Sequence, residues 1–116
     1  MLISELAART GVSARALRHY EERGVLVPGR DPNGYRVYAE SDVVRVLQIK
    51  TMIDAGLPTS TVRRYIDCAR SGDHGVTLEM CPALRAEVDG IAARLDEQRA
   101  ALEDKRDRLG ALAAGG

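Results

Sequence analysis

The chain has 116 residues, with 17 Lys and Arg against 17 Asp and Glu, 45% hydrophobic residues and neither Phe nor Trp. This length predicts one domain with at most an appendage, and the composition excludes a disordered or wholly polybasic chain. No apolar run approaches the ~18 residues of a membrane-spanning helix. Two cysteines are too few to staple a small secreted domain, and the start lacks the apolar core of a signal peptide. We therefore expect a reducing, cytoplasmic setting.

The zero net charge hides an uneven distribution along the chain. Residues 1–70 carry 11 Lys and Arg against 8 Asp and Glu, whereas residues 71–116 carry 6 against 9. The charge balance is therefore an average of a basic front and an acidic back, and it does not exclude a nucleic-acid partner for the front.

The first two predicted helices form a helix-turn-helix pattern. Ser4 is placed to cap a helix that ends at Gly11, and Ser13 is placed to cap a second helix over residues 14–23. Two short helices joined by a tight turn are typical of a DNA-binding motif whose second helix reads the major groove.

The second helix carries candidates for contact with bases or phosphates. Arg15 and Arg18 lie three positions apart, so they share one exposed face, and His19 follows them. Arginine can bond the N7 and O6 of guanine or hold a phosphate. The alternative is a solvated face on which Arg18 pairs with Glu21 or its neighbour Glu22, and this helix alone does not decide between them.

A β-hairpin is predicted next, because the sequence Asp-Pro-Asn-Gly favours a tight turn between residues 25–30 and 35–38. Side chains alternate along a strand, so Arg36 and Tyr38 share one face and Tyr35 lies on the other. We expect Arg36 and Tyr38 to contact phosphate as a wing, and Tyr35 to pack in the core. The alternative is a hairpin whose tyrosines only cover the core.

Two further helices are predicted before a change in composition. Ser41 is placed to cap a helix over residues 42–55, and Ser60 to cap another that runs to about residue 69. Residues 71–76 are polar and bounded by glycines, so we expect a linker there.

A long helix is predicted over residues 77–112, followed by a disordered tail over residues 113–116. Its start is open, because either Thr77 or Pro82 can stand at the beginning. Steps of three and four place one set of side chains on a heptad seam, which we expect to be a dimer interface. This seam consists of Leu84, Val88, Ile91, Leu95, Gln98, Leu102, Leu109 and Leu112. A parallel pair would oppose Lys105 to itself, so an antiparallel coiled coil is expected.

Three motifs in order resemble the MerR family of bacterial transcription regulators. They are Ile-Ser-Glu-Leu-Ala-Ala-Arg-Thr-Gly-Val-Ser at 3–13, Leu-Arg-His-Tyr-Glu-Glu-Arg-Gly at 17–24 and Asn-Gly-Tyr-Arg-Val-Tyr at 33–38. The resemblance implies a mainly α fold, with a winged helix-turn-helix domain over residues 1–70, a small β-hairpin wing and a long dimerisation helix. It also implies a set of DNA contacts in the recognition helix and two wings: Ser13, Arg15, Arg18, His19, Tyr20, Arg36, Tyr38, Thr59 and Arg63.

The resemblance implies a homodimer that binds a palindromic site in double-stranded promoter DNA and distorts it, so that RNA polymerase can begin transcription. One alternative is an architectural DNA-bending protein of the excisionase type. Another is a coiled-coil adaptor whose front binds protein. An enzyme is not expected, since the sequence has no phosphate-cradling glycine loop, metal motif or Ser-His arrangement. No cofactor is implied.

The cysteines are candidates for effector sensing. The short length and the sequence at residues 69–73 resemble the aldehyde- and thiol-stress branch of the family, which implies a sensing role for Cys68 or Cys81. A thiol at a helix amino terminus, as expected for Cys81, is more reactive. The alternative is that Cys68 packs as a small apolar residue and Cys81 is incidental. With His74 these residues match no standard zinc pattern, so we expect no metal site.

Overall fold

A computed structural model describes residues 1–115, which form two units, Met1–Met80 and the segment from Cys81 onward. The fold is mainly helical with two small antiparallel sheets, which confirms the predicted fold class. The helices are α1 (Ile3–Thr10), α2 (Ala14–Glu22), α3 (Glu40–Asp54), α4 (Thr59–Tyr65) and α5 (Pro82–Ala113). The strands are β1 (Gly29–Arg30), β2 (Arg36–Val37), β3 (Ala69–Gly72) and β4 (Gly75–Leu78). Across residues 1–115, no helix combines the length and the apolar character needed to span a membrane.

The turn between α1 and α2 is fixed by side-chain hydrogen bonds. The Thr10 hydroxyl donates to the Leu6 carbonyl at 2.8 Å and accepts from the Val12 amide at 3.2 Å. Ser13 caps α2 by accepting from the Ala16 amide at 3.1 Å, as predicted. These bonds set the second helix at a defined angle to the first.

Three other predicted caps are wrong. Ser4 lies inside the first turn of α1, which Leu2 precedes in an extended conformation. Ser41 lies inside α3, where the Asp42 carboxylate accepts from the Ala39 amide at 2.8 Å and so satisfies a free N–H. Ser60 lies inside α4, whose N-cap is Pro58. All three helices therefore begin earlier than the serine positions suggest.

The core of the first unit is mostly aliphatic, in keeping with the lack of Phe and Trp. Its most deeply buried side chains, at most 2% exposed, come from α1 to α4 and from the loop after α2: Leu6, Leu17, Leu26, Val46, Ile49 and Val62. Each such side chain stabilises the fold by about 1.5–3 kcal/mol relative to its exposed state.

The first hairpin forms where it was predicted but with shorter strands. Its register pairs Gly29 with Val37 and Arg30 with Arg36. The turn is closed by the Asp31 carboxylate, which accepts from the amides of Asn33 and Tyr35 at 2.9 Å each. This side chain therefore provides the turn geometry that the sequence indicated.

Residues 69–78 form a second hairpin where we expected a linker and the first turn of the long helix. The register runs from Ala69 opposite Leu78 to Gly72 opposite Gly75. The hairpin follows α4 and a 3-10 turn at Ile66–Cys68. Helix α4 begins after Pro58 and ends where this turn begins, so the helix is shorter than predicted. The two glycines that suggested the bounds of a linker, Gly72 and Gly75, instead lie on either side of the hairpin turn.

The long helix begins at Pro82, with Cys81 at its N-cap, which settles the open start. It has 32 residues and is about 48 Å long at 1.5 Å per residue. It includes Ala113, the first residue of the expected tail, whereas residue 116 lies outside the described residues. Every residue from 92 to 113 is exposed.

Candidate nucleic-acid interface

Helix α2 presents a basic face to solvent. Arg15, Arg18 and His19 are exposed, while Leu17 and Tyr20 are buried on the opposite side. Among residues 1–115 neither Arg15 nor Arg18 has an ion-pair partner. The predicted alternative, in which Arg18 is neutralised by a neighbouring glutamate, is therefore wrong, and both guanidinium groups are available to an anion.

The wing is joined to α2 through Glu21. One oxygen of this carboxylate accepts a hydrogen bond from the Tyr38 hydroxyl, and the other lies 2.9 Å from Nε of Arg36. The Glu21 side chain is only 8% exposed, whereas that of Arg36 is 54% exposed. Burial raises the pKa of Tyr38 to about 12, and the bond to Glu21 adds to the shift.

The structure exchanges the positions expected for the two tyrosines of the hairpin. Tyr35 is 70% exposed, and Tyr38 is 4% exposed. Strand β2 ends at Val37, and Tyr38 instead pairs with Met1, whose carbonyl accepts from the Tyr38 amide at 2.8 Å. The predicted alternation therefore did not apply, and Tyr38 offers no free hydroxyl to a phosphate.

Tyr20 is also buried, contrary to its predicted place at the DNA surface. Only 7% of the residue is exposed, and burial is the main cause of its raised pKa, followed by the charge of Asp54. Tyr20 lies three positions after the buried Leu17, so the two side chains share one face of α2. We therefore assign Tyr20 to packing beneath the basic face of α2.

Helix α2 and the hairpin together form a basic groove, which we call the wing groove. It is lined by Arg18, Arg30 and Arg36 with Glu21, Glu22 and Pro28. Arg30 was missed by the sequence analysis, although its place opposite Arg36 in the hairpin register was a usable signal. The Arg30 guanidinium donates a hydrogen bond to the Gly34 carbonyl at 3.2 Å. Because this carbonyl is neutral, the bond does not neutralise the positive charge of Arg30.

A second basic groove lies beside the C-terminal end of α2. Its lining brings the predicted pair Thr59 and Arg63 together with Arg23, Ser60 and Arg64. Gly24 ends α2 with φ of +74°, and a side chain there would stand 3.5 Å from Nε of Arg63. Arg23 was missed by the sequence analysis, and its place at the end of the recognition helix was the available signal.

The residues of the predicted dimer seam on α5 fall into two groups, one buried or half-buried and the other exposed. Leu84 and Ile91 are buried and Val88 is half-buried. The rest of the predicted seam is exposed: Leu95 at 49%, Leu102 at 66%, Leu109 at 68% and Leu112 at 80%, together with Gln98.

The predicted sensing residues differ in access. Cys81 is exposed and Cys68 is half-buried. Within residues 1–115, no three His, Cys, Asp or Glu side chains come together in a way that could hold a metal ion.

Comparison with known proteins gives one consistent result. Residues 1–68 match the family described as MerR HTH family regulatory protein. The chain is 34% identical over 107 residues to the HTH-type transcriptional regulator SkgA of Caulobacter vibrioides, covering 91% of this chain and 39% of SkgA. It spans less than half the length of three such curated relatives.

Two solved structures share the fold. PbrR691 from Ralstonia metallidurans, in complex with lead(II), superposes with a TM-score of 0.73 at 24% identity, covering 94% of this chain and 81% of that one. HiNmlR, a MerR family regulator lacking the sensor domain and bound to promoter DNA, gives 0.57 at 22% identity, covering 92% and 78%.

Proposed function

Because this chain belongs to the MerR family of helix-turn-helix regulatory proteins, and is thus a DNA-binding transcription regulator, we propose that it acts as a dimer on a palindromic promoter site. In this proposal it distorts the bound DNA, and the distortion controls initiation by RNA polymerase on the same promoter. Its place of action is then the bacterial cytoplasm, where promoter DNA lies.

The observation that carries the proposal is the basic surface around α2. The exposed face of α2 carries Arg15 and Arg18 without ion pairs among residues 1–115, and the wing groove and the groove at Arg23 and Arg63 both adjoin the C-terminal half of this helix. A duplex presents phosphates beside the major groove, so an exposed basic helix face with two basic grooves next to it matches that charge pattern.

The proposed contacts follow from this surface. In α2 and at its N-cap they are Ser13, Arg15, Arg18 and His19; in the wings they are Arg36, Thr59 and Arg63. Each phosphate neutralised adds about 0.9 to the negative slope of log affinity against log salt concentration, so binding should be steeply salt-dependent.

The proposed dimer rests on the exposed leucines of α5. Leu95, Leu102 and Leu109 recur every seven residues and remain at least 49% exposed in the single chain. A second copy of α5 would bury them, since a heptad seam is the pattern by which helices pair. The antiparallel direction is favoured because it separates the two copies of Lys105.

Binding-site selection from random duplexes at fixed salt tests the proposal. We expect an inverted repeat to emerge, and we expect the double variant Arg18→Ala, Arg36→Ala to lose its binding. Lys50→Ala is the control for loss of a positive charge elsewhere, because Lys50 lies on α3 and lines neither groove. Full binding by the double variant would reject DNA recognition through α2 and the wing, and selection of no duplex by the wild type would favour the adaptor.

Transcription from a promoter that carries the selected site separates the two DNA-binding functions. A regulator changes transcription in a purified polymerase assay, and the change depends on the spacing between the promoter elements. DNA bending without any change in transcription would identify the architectural protein instead. Effector sensing by Cys68 or Cys81 stays a prediction from the sequence.

A further inference from the structure

Resting on the proposed function, we propose that Glu21 acts as an internal counter-ion for Arg36 and thereby lowers the affinity of the wing groove for DNA. The carboxylate takes the place of a DNA phosphate in the free protein. Arg36 then contributes to binding only after a phosphate has displaced this carboxylate, and the cost of that exchange is subtracted from its contribution on any duplex.

The geometry holds this carboxylate in place from two sides. The Tyr38 hydroxyl donates to one oxygen, and Nε of Arg36 lies 2.9 Å from the other. The glutamate comes from α2, Arg36 comes from strand β2 and Tyr38 directly follows that strand, so the contact joins the two elements that form the wing groove. Because the Glu21 side chain is 8% exposed, salt screens this ion pair less than it screens a surface pair.

Arg36 differs in this respect from the other two arginines of the wing groove. Arg18 has no ion-pair partner among residues 1–115, and Arg30 donates to the neutral carbonyl of Gly34. More than half of the Arg36 side chain stays accessible to an incoming anion, at 54% exposure. A phosphate can therefore reach this guanidinium, but it must compete with a carboxylate that is already bound.

The competition has a measurable electrostatic consequence. A lysine or arginine that is free in solution and neutralises one phosphate steepens the salt dependence of affinity by about 0.9 in slope. An arginine already neutralised by Glu21 contributes less than this. Removal of the carboxylate should therefore strengthen and steepen binding to arbitrary DNA, whereas mere loss of structure would weaken binding.

The test compares Glu21→Gln with Glu22→Gln in the full chain, by fluorescence anisotropy at several salt concentrations on the selected duplex and a scrambled one. Glutamine keeps an oxygen for Tyr38 but loses the charge. Glu22 is the control because it lines the same groove and is exposed, yet it does not pair with Arg36. Both variants therefore lose one negative charge, and only one loses the counter-ion.

For Glu21→Gln we expect scrambled-duplex affinity to rise roughly three- to tenfold, with a slope steeper by about 0.9. Affinity for the selected duplex should rise as well, because the same carboxylate no longer has to be displaced there. In an Arg36→Ala background, Glu21→Gln should leave the slope unchanged. If Glu21→Gln proves unfolded by circular dichroism, Glu21→Asp carries the test, because the shorter side chain moves the charge away from Arg36.

The inference is overturned if Glu22→Gln matches Glu21→Gln, if the slope stays unchanged or becomes shallower, or if the effect persists without Arg36. Failure of the proposed function is distinguishable from these results. In that case the wild-type chain selects no duplex at all, whereas a chain that discriminates its site but ignores the Glu21 substitution rejects this inference alone.

Discussion

Truncation of one leucine on α5 tests the proposed dimer most directly. Leu102 is 66% exposed in the single chain, and full burial of a leucine side chain is worth about 1.5–3 kcal/mol. A partner helix can therefore contribute about 1–2 kcal/mol at each Leu102, or about 2–4 kcal/mol for the two copies in a dimer. Leu102→Ala should then raise the dimer dissociation constant roughly 30- to 700-fold, at tenfold per 1.4 kcal/mol.

Sedimentation velocity over a dilution series measures this constant for the wild type and the variant. Alanine keeps the helix propensity high, so a change in association does not reflect loss of the helix. Glu97→Ala serves as control, because Glu97 is exposed on α5 but lies off the heptad seam. Equal dissociation constants for the wild type and Leu102→Ala, or a wild type that is monomeric at micromolar concentration, would refute the reasoning.

Three further predictions follow from burial in the single chain. Leu17→Ala, at a site with no exposed surface, should lower the free energy of unfolding in urea by about 2–5 kcal/mol; a smaller loss would show that the α2 core is loosely packed. The Tyr38 pKa of about 12 lies above the unfolded value of 10.0, so its stability contribution is present below pH 10 and is lost as pH rises through 12. Tyr38→Phe should remove that part of the alkaline decline in thermal unfolding, and an unchanged decline would contradict the burial of the Tyr38 hydroxyl, which is the main cause of its raised pKa. Ellman's reagent should modify Cys81 before Cys68, measured on the two single serine variants, because Cys81 is the exposed thiol; the reverse order would place Cys68 at the surface.

The local signals in the sequence predicted the elements of the DNA-binding unit well. Ser13 caps α2 as expected, and the Asp-Pro-Asn-Gly turn closes the first hairpin. Both are short-range effects, in which a side chain or a turn sequence sets nearby backbone angles. Arg15 and Arg18 are exposed because the buried Leu17 fixes the orientation of the helix.

The mistakes arise where distant contacts decide the outcome. Tyr38 is buried through backbone pairing with Met1 and through Glu21, neither of which is visible in the alternation of a strand. Arg30 lines the wing groove because the hairpin register places it opposite Arg36. Residues 69–78 form a hairpin although their glycines and polar side chains also suit a linker. In each case the competing structure depends on partners that lie several residues or more away.

The exposed stretch of α5 also determines how its backbone exchanges hydrogen with solvent. Residues 92–113 bury no side chain in the single chain, and helices of modest length gain most of their stability from packing. Amide protons there are protected by little more than the helix itself while the chain is alone. Their exchange with deuterium should slow as protein concentration rises, whereas amides around Val46 and Ile49 in the core should exchange at a constant rate. If the proposed dimer forms through α5, the exchange rate of this one helix would record how much of the protein is paired.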